Sequence, residues 1–86
     1  MSKQHVFDVV KKVIIEVLPD VNPDLITIEK RLVDLGANSI DRMEVVTMSM
    51  EELGLLIPMM SFANVNNIEG LVNVFVESSG EMVKSA

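Results

Sequence analysis

The chain has 86 residues, which fits one domain but leaves too little sequence for a catalytic domain with a deep substrate cleft. Hydrophobic residues make up 49% and aromatic residues only 3%, so the chain is expected to bury a core but offers no stacking surface for bases. The formal charge of −6 argues against nucleic acid and anionic membranes as partners, and the absence of cysteine excludes disulfides, thiolate metal sites and a cysteine nucleophile.

The placement of charged and apolar residues along the chain predicts the cellular location of the protein and the kind of partner it binds. The first residues, Met1 to His5, lack the apolar stretch of a signal peptide, so we expect a cytoplasmic protein. Residues 1–33 are electrically neutral, whereas residues 34–81 hold eight acids against one base, Arg42. This asymmetry predicts a recognition surface for a basic protein partner in the second half of the chain.

The first predicted element is an amphipathic helix. Apolar residues recur at helical spacing from Val6 to Val17, and Pro19 ends the pattern. Residues 19–38 contain no long periodic run and predict a long loop with a turn at Pro23 and room for one short helical turn. The side chains expected to hold this loop against the core are Leu25, Ile28, Leu32 and Leu35.

A second helix is predicted from Asn38 to about Leu53. Asn38 is a favourable N-cap, and Asp41 three residues later completes a capping box at the positive end of the helix. Gly54 is the expected C-terminal stop.

The remaining sequence predicts one short helix and one long helix. Pro58 permits a short helical turn through Phe62, and Asn66 or Asn67 can cap a last helix, with Glu69 three residues after Asn66. The expected fold is all-α: a small bundle of three main helices plus one short helix, with a long first loop, in a single domain of residues 1–86.

The second helix has a face that predicts partner docking. At 100° per residue, its acids share one side: Asp41, Glu44, Glu51 and Glu52. Val46 and Leu53 lie on the opposite, core side, with Val45 at the edge of the core. Apolar residues also fall on or beside the acidic side: Ile40, Met43 and Met48. Exposed apolar residues rimmed by acids are typical of a docking surface, and the alternative is that each methionine fills the core.

Ser39 stands at the entrance of the second helix. If Asn38 is the cap, the hydroxyl of Ser39 is left free. The only histidine is His5, near the N-terminus, so a catalytic triad is not expected and His5 is assigned no role. From the residues alone, Ser39 is either a helix-capping residue or an acceptor for the chemistry of another enzyme.

The segment Leu35-Gly36-Ala37-Asn38-Ser39-Ile40-Asp41 resembles the phosphopantetheine-attachment motif of acyl carrier proteins, commonly Leu-Gly-Ala-Asp-Ser-Leu-Asp. The similarity covers nearly the whole chain, including Glu51-Glu52, Ile57-Pro58 and Asn67-Ile68. The resemblance implies that Ser39 carries 4′-phosphopantetheine, donated from coenzyme A by a separate Mg-dependent phosphopantetheinyl transferase. It also implies a carrier that is a substrate of other enzymes and not itself an enzyme.

Details of the motif point to one kind of carrier. Ala37 stands where peptidyl carriers more often have a second glycine, Asn38 replaces the usual Asp, and Met59-Met60-Ser61-Phe62 follows Ile-Pro where acids are common. These features are most similar to the free-standing donor carrier of polyketide β-branching cassettes. That similarity implies an acetyl thioester delivered to an enzyme like hydroxymethylglutaryl-CoA (HMG-CoA) synthase, an acyl-loading or decarboxylating ketosynthase as a further partner, and a carrier that is a monomer alone.

The face of the second helix and the apolar residues after Ile-Pro together give a set of candidate contacts. The expected partner-binding residues are Ile40, Asp41, Met43, Glu44, Met48, Glu51, Met59, Met60 and Phe62. Two other functions remain open: a general fatty-acid or polyketide acyl carrier, or an unmodified acidic helical interaction module in which Ser39 is only structural.

A calcium-binding loop is the remaining possibility that the acids suggest. The segment that begins at Asp20 fits the first ligand positions of an EF-hand. It has Leu25 where glycine is needed and Arg31 where a bidentate Glu is needed, so an EF-hand is rejected and no metal site is predicted.

Overall fold

The computed structural model describes the backbone of residues 2–85 and the side chains of residues 2–79. It contains three α-helices: α1 (Lys3–Val17), α2 (Ser39–Leu53) and α3 (Ile68–Ser85). Three short 3₁₀ turns lie between them: Pro23–Leu25, Leu32–Leu35 and Met59–Phe62. The predicted all-α bundle of three main helices is therefore confirmed, with two turns in the first loop instead of one.

The core lies where α1 packs against both α2 and α3. Its largest fully buried side chains are Phe75, Ile14, Ile68 and a set of valines: Val6, Val10, Val13, Val45 and Val72. Because valine is a mediocre helix former, packing and not propensity holds these helices in place. Val45 is completely buried while Val46 is less so, which reverses the predicted order of these two residues. Within the described part of the chain, no helix combines the length and the hydropathy that a membrane span requires.

The helix ends follow local capping chemistry. Ser2 Oγ accepts a hydrogen bond from the His5 amide at 3.1 Å at the start of α1, and Asn67 Oδ1 accepts one from the Gly70 amide at 2.9 Å at the start of α3. Of the two residues proposed as the cap of the last helix, Asn67 is therefore correct. Glu69, the expected partner of an Asn66 cap, instead forms an ion pair with Lys3 at 3.1 Å.

The first loop (residues 18–38) is held only in part by the residues predicted. Leu25 is 50% exposed and does not pin the loop, whereas its neighbour Ile26 is 3% exposed and belongs to the core. Leu32 and Leu35 pack against the core as expected. Two backbone hydrogen bonds add to these contacts, because the first amides of α3 donate to loop carbonyls.

Ser49, on the buried side of α2, breaks the apolar pattern of the core. Its side chain is fully buried, and among the described residues its Oγ has no hydrogen-bond partner. A buried hydroxyl without a partner retains its desolvation cost in the folded state. We therefore expect Ser49 to lower the free energy of unfolding relative to an alanine at the same position.

Replacing Ser49 with alanine should raise the free energy of unfolding by about 1 kcal/mol, because the change removes the unpaired hydroxyl and leaves nearly the same volume. Urea denaturation followed by circular dichroism measures this change. The matched control is Ser61→Ala at an exposed position, which should alter stability by less than about 0.5 kcal/mol. A less stable Ser49→Ala protein would show that the hydroxyl is satisfied in solution.

Candidate functional site

The chain turns sharply just before α2, and Gly36 makes the turn. Its φ of 93° and ψ of 10° place it in the left-handed region, where residues with a Cβ are strained. The Gly36 amide donates to the Val33 carbonyl and the Ala37 amide donates to the Leu32 carbonyl, each at 3.1 Å. The turn directs the buried methyl group of Ala37 inward and brings Asn38 to the mouth of the helix.

A reciprocal capping box then starts α2, as predicted. Asn38 Oδ1 accepts from the Asp41 amide at 2.8 Å, and Asp41 Oδ2 accepts from the Asn38 amide at 3.2 Å. Because Asn38 caps the helix, Ser39 becomes its first residue and its side chain has no capping duty. The local sequence thus presents a serine hydroxyl at the positive end of a helix.

Ser39 is exposed. Its hydroxyl was predicted to be free but accepts a hydrogen bond. Arg42 Nη2, one helical turn further on, donates a hydrogen bond to Ser39 Oγ at 3.2 Å. The hydroxyl acts as the acceptor in this contact, so its own proton stays available for donation. A hydroxyl oxygen beside a positive charge suits a reaction that leaves an anionic group on that oxygen.

The four acids of α2 differ in what they contact. Asp41 is partly buried and is engaged in the capping box, and Glu52 forms an ion pair with Lys12 of α1 at 3.1 Å. Glu44 and Glu51 are exposed and form no salt bridge with any described side chain. The predicted acidic face therefore offers mainly these two carboxylates to a partner.

The apolar residues predicted to bind a partner fall into two groups. Ile40, Met43, Met59 and Met60 are exposed, with Met60 87% and Ile40 69% accessible. Met48 is partly buried and packs against the core. Its predicted place as an exposed docking residue is therefore wrong in part, because α1 covers the neighbouring side of α2.

Phe62 is also drawn toward the core. Its ring stands edge to face against Phe75 of α3, with 5.6 Å between the ring centroids. Only part of the Phe62 side chain remains accessible, so its main contacts are with the core and not with solvent. Sequence reasoning missed Leu56, which is 96% exposed in the link that follows α2 and precedes Met59 and Met60. Ile57, the next residue, is buried, so burial alternates along this link. An expectation of alternation would have predicted that one of these two neighbouring apolar residues is exposed.

A cleft of about 320 Å³ lies between the first loop, α2 and the start of α3. Its walls combine apolar and polar residues: Arg31, Leu32, Val33, Arg42, Val46, Phe62, Val65, Asn66, Asn67 and Leu71. The two arginines of the chain, Arg31 and Arg42, both line this cleft. Among the described residues, no group of three or more acids and histidines is arranged to hold a metal ion.

Ionisable groups in the first loop fix the backbone just before Ser39. The Arg31 guanidinium donates to both carboxylate oxygens of Asp34, at 3.1 and 3.3 Å, which lowers the pKa of Asp34 and raises that of Arg31. The pKa of Glu29 is lowered by its own backbone amide and by the Thr27 hydroxyl. Lowered carboxyl pKa values favour the folded chain above the ordinary pKa, and this contribution is lost as the pH falls through the lowered values.

Comparisons with known proteins agree with this arrangement. The family described as "phosphopantetheine attachment site" matches residues 8–75. A polyketide biosynthesis acyl carrier protein (AcpK) of Bacillus subtilis is 42% identical over 77 residues, covering 90% of this chain and 94% of that protein. An acyl carrier protein of Campylobacter lari is 38% identical over 69 residues, covering 79% and 88%.

A solved structure is similar as well. The matched chain comes from a crystal structure of the HMG synthase of the curacin biosynthetic pathway in complex with its acetyl donor carrier protein. The TM-score is 0.80 with 35% identity, over 87% of this chain and 96% of that one.

The fold is that of a phosphopantetheine-bearing carrier domain, and this chain is a member of that family. Within the family it is an acyl carrier protein, whose cofactor is 4′-phosphopantetheine and whose work is to carry acyl groups and not to catalyse reactions.

The turn at Gly36 generates a prediction about how the serine is presented. Gly36→Ala should lower the free energy of unfolding by about 1–2 kcal/mol through backbone strain. Crowding is not the cause, because no atom of a residue beyond its two chain neighbours lies within 4 Å of the position a Cβ would take. Denaturation measures the loss, and amide hydrogen exchange at Asn38 and Asp41 reports whether the capping box loosens.

Gly54 provides a matched control, since it is the other left-handed glycine and ends the same helix, with φ of 67°. Gly54→Ala should also destabilise the protein, but it should leave exchange at the Asn38 and Asp41 amides at the level that its lower global stability explains. Equal loosening of the capping box in both variants would contradict a specific role for Gly36.

Proposed function

We propose that Ser39 is the attachment site of the 4′-phosphopantetheine arm and that this carrier donates a thioester-bound acetyl group to an HMG-CoA-synthase-like enzyme in polyketide β-branching. The observation that carries the proposal is the exposed Ser39 Oγ at the first position of α2, released from capping by Asn38 and contacted by Arg42. A phosphopantetheinyl transferase would transfer the arm from coenzyme A to this oxygen, to which it is joined through a phosphodiester. Ser39 Oγ forms a bond to the phosphorus next to the pantetheine, the pyrophosphate bond of coenzyme A breaks, adenosine 3′,5′-bisphosphate leaves, and the serine proton passes to a base of the transferase. The local residues fit that product, because a helix start and a guanidinium both favour a negative charge.

The surface next to Ser39 supports docking to enzymes that act on the arm. Ile40 and Met43 are exposed in the first turns of α2, and Glu44 and Glu51 are exposed on the same helix. Carboxylates attract a basic partner over distance, whereas apolar side chains gain energy only on contact. This division of labour suits a carrier that must reach several enzymes, including the transferase and an acyl-loading or decarboxylating ketosynthase.

Donor specificity is supported by the exposed apolar residues that follow α2. Leu56, Met59 and Met60 are exposed apolar side chains that lie in, or just before, the 3₁₀ turn at Met59–Phe62. We call Leu56, Met59 and Met60 the apolar patch. An enzyme that must choose this carrier over one holding the polyketide needs a feature that differs between them, and an apolar patch in place of acids changes both shape and desolvation. The similarity to the acetyl donor carrier of the curacin pathway favours the same assignment.

The attachment site can be tested by mass. Incubation with coenzyme A and a broad-specificity phosphopantetheinyl transferase should add one phosphopantetheinyl group to the wild-type chain and none to Ser39→Ala. Helical circular dichroism should be unchanged, because the cap is Asn38 and not Ser39. Ser61→Ala, at another exposed serine, is the control and should be modified normally. Modification of Ser39→Ala would refute the assignment.

Charge reversal tests the electrostatic half of docking. Glu44→Lys or Glu51→Lys should slow association with the HMG-CoA-synthase-like enzyme by about tenfold at low salt and flatten its salt dependence, because exposed charges act mainly on encounter. Stopped-flow or surface-plasmon measurements give the rate. Glu77→Lys makes the same change of net charge on the exposed side of α3 and should have a much smaller effect. If all three variants behave alike, only net charge matters and the surface is misplaced.

Truncation of the apolar patch tests specificity. Leu56→Ala, Met59→Ala and Met60→Ala should keep the melting temperature within a few degrees, because exposed side chains contribute little to folding. At least one should weaken binding to the HMG-CoA-synthase-like enzyme by about 1 kcal/mol or more. Leu25→Ala, at an exposed apolar residue of the first loop, is the control and should bind normally. A loss of stability without a loss of affinity in all three would mean that the patch is packing material.

A further inference from the structure

We propose that Arg42 binds the phosphodiester formed on Ser39 and so holds the root of the arm on the cleft side of α2, opposite the exposed acids. The inference rests on the proposed attachment at Ser39 and adds a residue that positions the arm. Its starting point is the hydrogen bond from Arg42 Nη2 to Ser39 Oγ at 3.2 Å.

The contact in the unmodified chain already has the required geometry. Arg42 and Ser39 are three residues apart on one helix, so their side chains are neighbours across one turn. Once Ser39 Oγ carries phosphorus, the non-bridging oxygens lie one bond beyond the atom that Arg42 now contacts. A guanidinium can then exchange a bond to a neutral hydroxyl for charge-assisted bonds to a phosphodiester, which are shorter and stronger.

The distribution of charge along the chain also favours Arg42 as the partner of the phosphodiester. Arg42 is the only base between residues 34 and 81, a stretch with eight acids, so a new negative charge on Ser39 would otherwise add to repulsion. The other arginine on the cleft, Arg31, is held by both oxygens of Asp34. Arg42 forms no salt bridge with a described side chain and is therefore available.

The position of Arg42 gives the arm a direction. At 100° per residue, Arg42 lies about 160–180° around α2 from Glu44 and Glu51, and it lines the cleft together with Val46 and Phe62. An arm whose phosphodiester is bound by Arg42 therefore starts on the cleft side, and the acidic side of α2 stays open to a partner. A carrier built in this way can dock through its acids without moving the arm out of the interface first.

The test uses the wild-type protein before and after transfer of the arm. In ¹⁵N-labelled protein, the side-chain resonances of Arg42 should shift on modification, and rotation of its guanidinium should slow, while those of Arg31 stay nearly unchanged. Raising the salt concentration should reverse most of the Arg42 change, because an exposed ion pair is screened. A holo protein with unchanged and freely rotating Arg42 would overturn the inference.

Adding the arm to wild type and to arginine variants measures how strongly Arg42 and the arm are coupled in stability. The change in melting temperature caused by adding the arm should be more unfavourable in Arg42→Gln than in wild type by about 1–5 °C at low salt, and the gap should close at high salt. Arg31→Gln removes the same charge from the same cleft and should behave like wild type. If the three proteins respond equally to the arm, Arg42 does not bind it.

Mass spectrometry separates this inference from the function on which it rests. A wild-type chain that gains no arm refutes attachment at Ser39 itself. A chain that gains the arm but shows neither the Arg42 resonance change nor the coupling refutes only the role of Arg42. Because the resonance experiment needs wild-type protein alone, poor modification of Arg42→Gln does not prevent a decision.

Discussion

Two hydrogen bonds join the start of α3 to the middle of the first loop. The Ile68 amide donates to the Lys30 carbonyl at 2.9 Å, and the Glu69 amide donates to the Ile28 carbonyl at 2.8 Å. Each bond satisfies two backbone groups that would otherwise lack a protein partner, an amide at the start of a helix and a carbonyl of an irregular loop. With Ile26 in the core, these bonds give a loop of mostly irregular backbone a fixed path to Gly36 and hence to Ser39.

The same link explains why a cleft exists beside the serine. The loop is held at the start of α3, and the 3₁₀ turn at Met59–Phe62 is held by the contact of Phe62 with Phe75. Neither segment fills the space next to the first turn of α2, where Arg42 and Val46 form one wall. The cleft is therefore a consequence of how two irregular segments are anchored and not of a missing core residue.

Much of this architecture could be predicted because it depends on short-range chemistry. The capping box of Asn38 and Asp41, the stop at Gly54 and the end of α1 before Pro19 are all set by residues within one turn of each other. The serine at the helix start follows from the same local rules. Helical periodicity also predicted α1 and α3, because their buried residues recur at helical spacing along one side.

What could not be predicted depends on distant parts of the chain. Leu25 and Ile26 are adjacent and both apolar, and only the packing of the loop onto the helices decides that Ile26 is buried and Leu25 is not. The burial of Met48 likewise depends on α1, which the wheel of α2 does not include. The hydrogen bond between Arg42 and Ser39 could not be predicted for another reason: a spacing of three residues makes the contact possible, but the sequence does not determine which rotamer an exposed arginine adopts.

The separation of core from surface explains what the methionines contribute. Met50 is buried in α2, whereas Met43, Met59 and Met60 are exposed. A side chain that is exposed in both the folded and the unfolded chain adds little to the free energy of unfolding, so folding is nearly indifferent to its identity. Contact with another surface is not indifferent, because flexible thioether side chains adapt to an apolar partner and lose water on binding. The valine-rich core therefore accounts for the fold without the exposed methionines, and this is the physical ground on which we propose them as partner contacts.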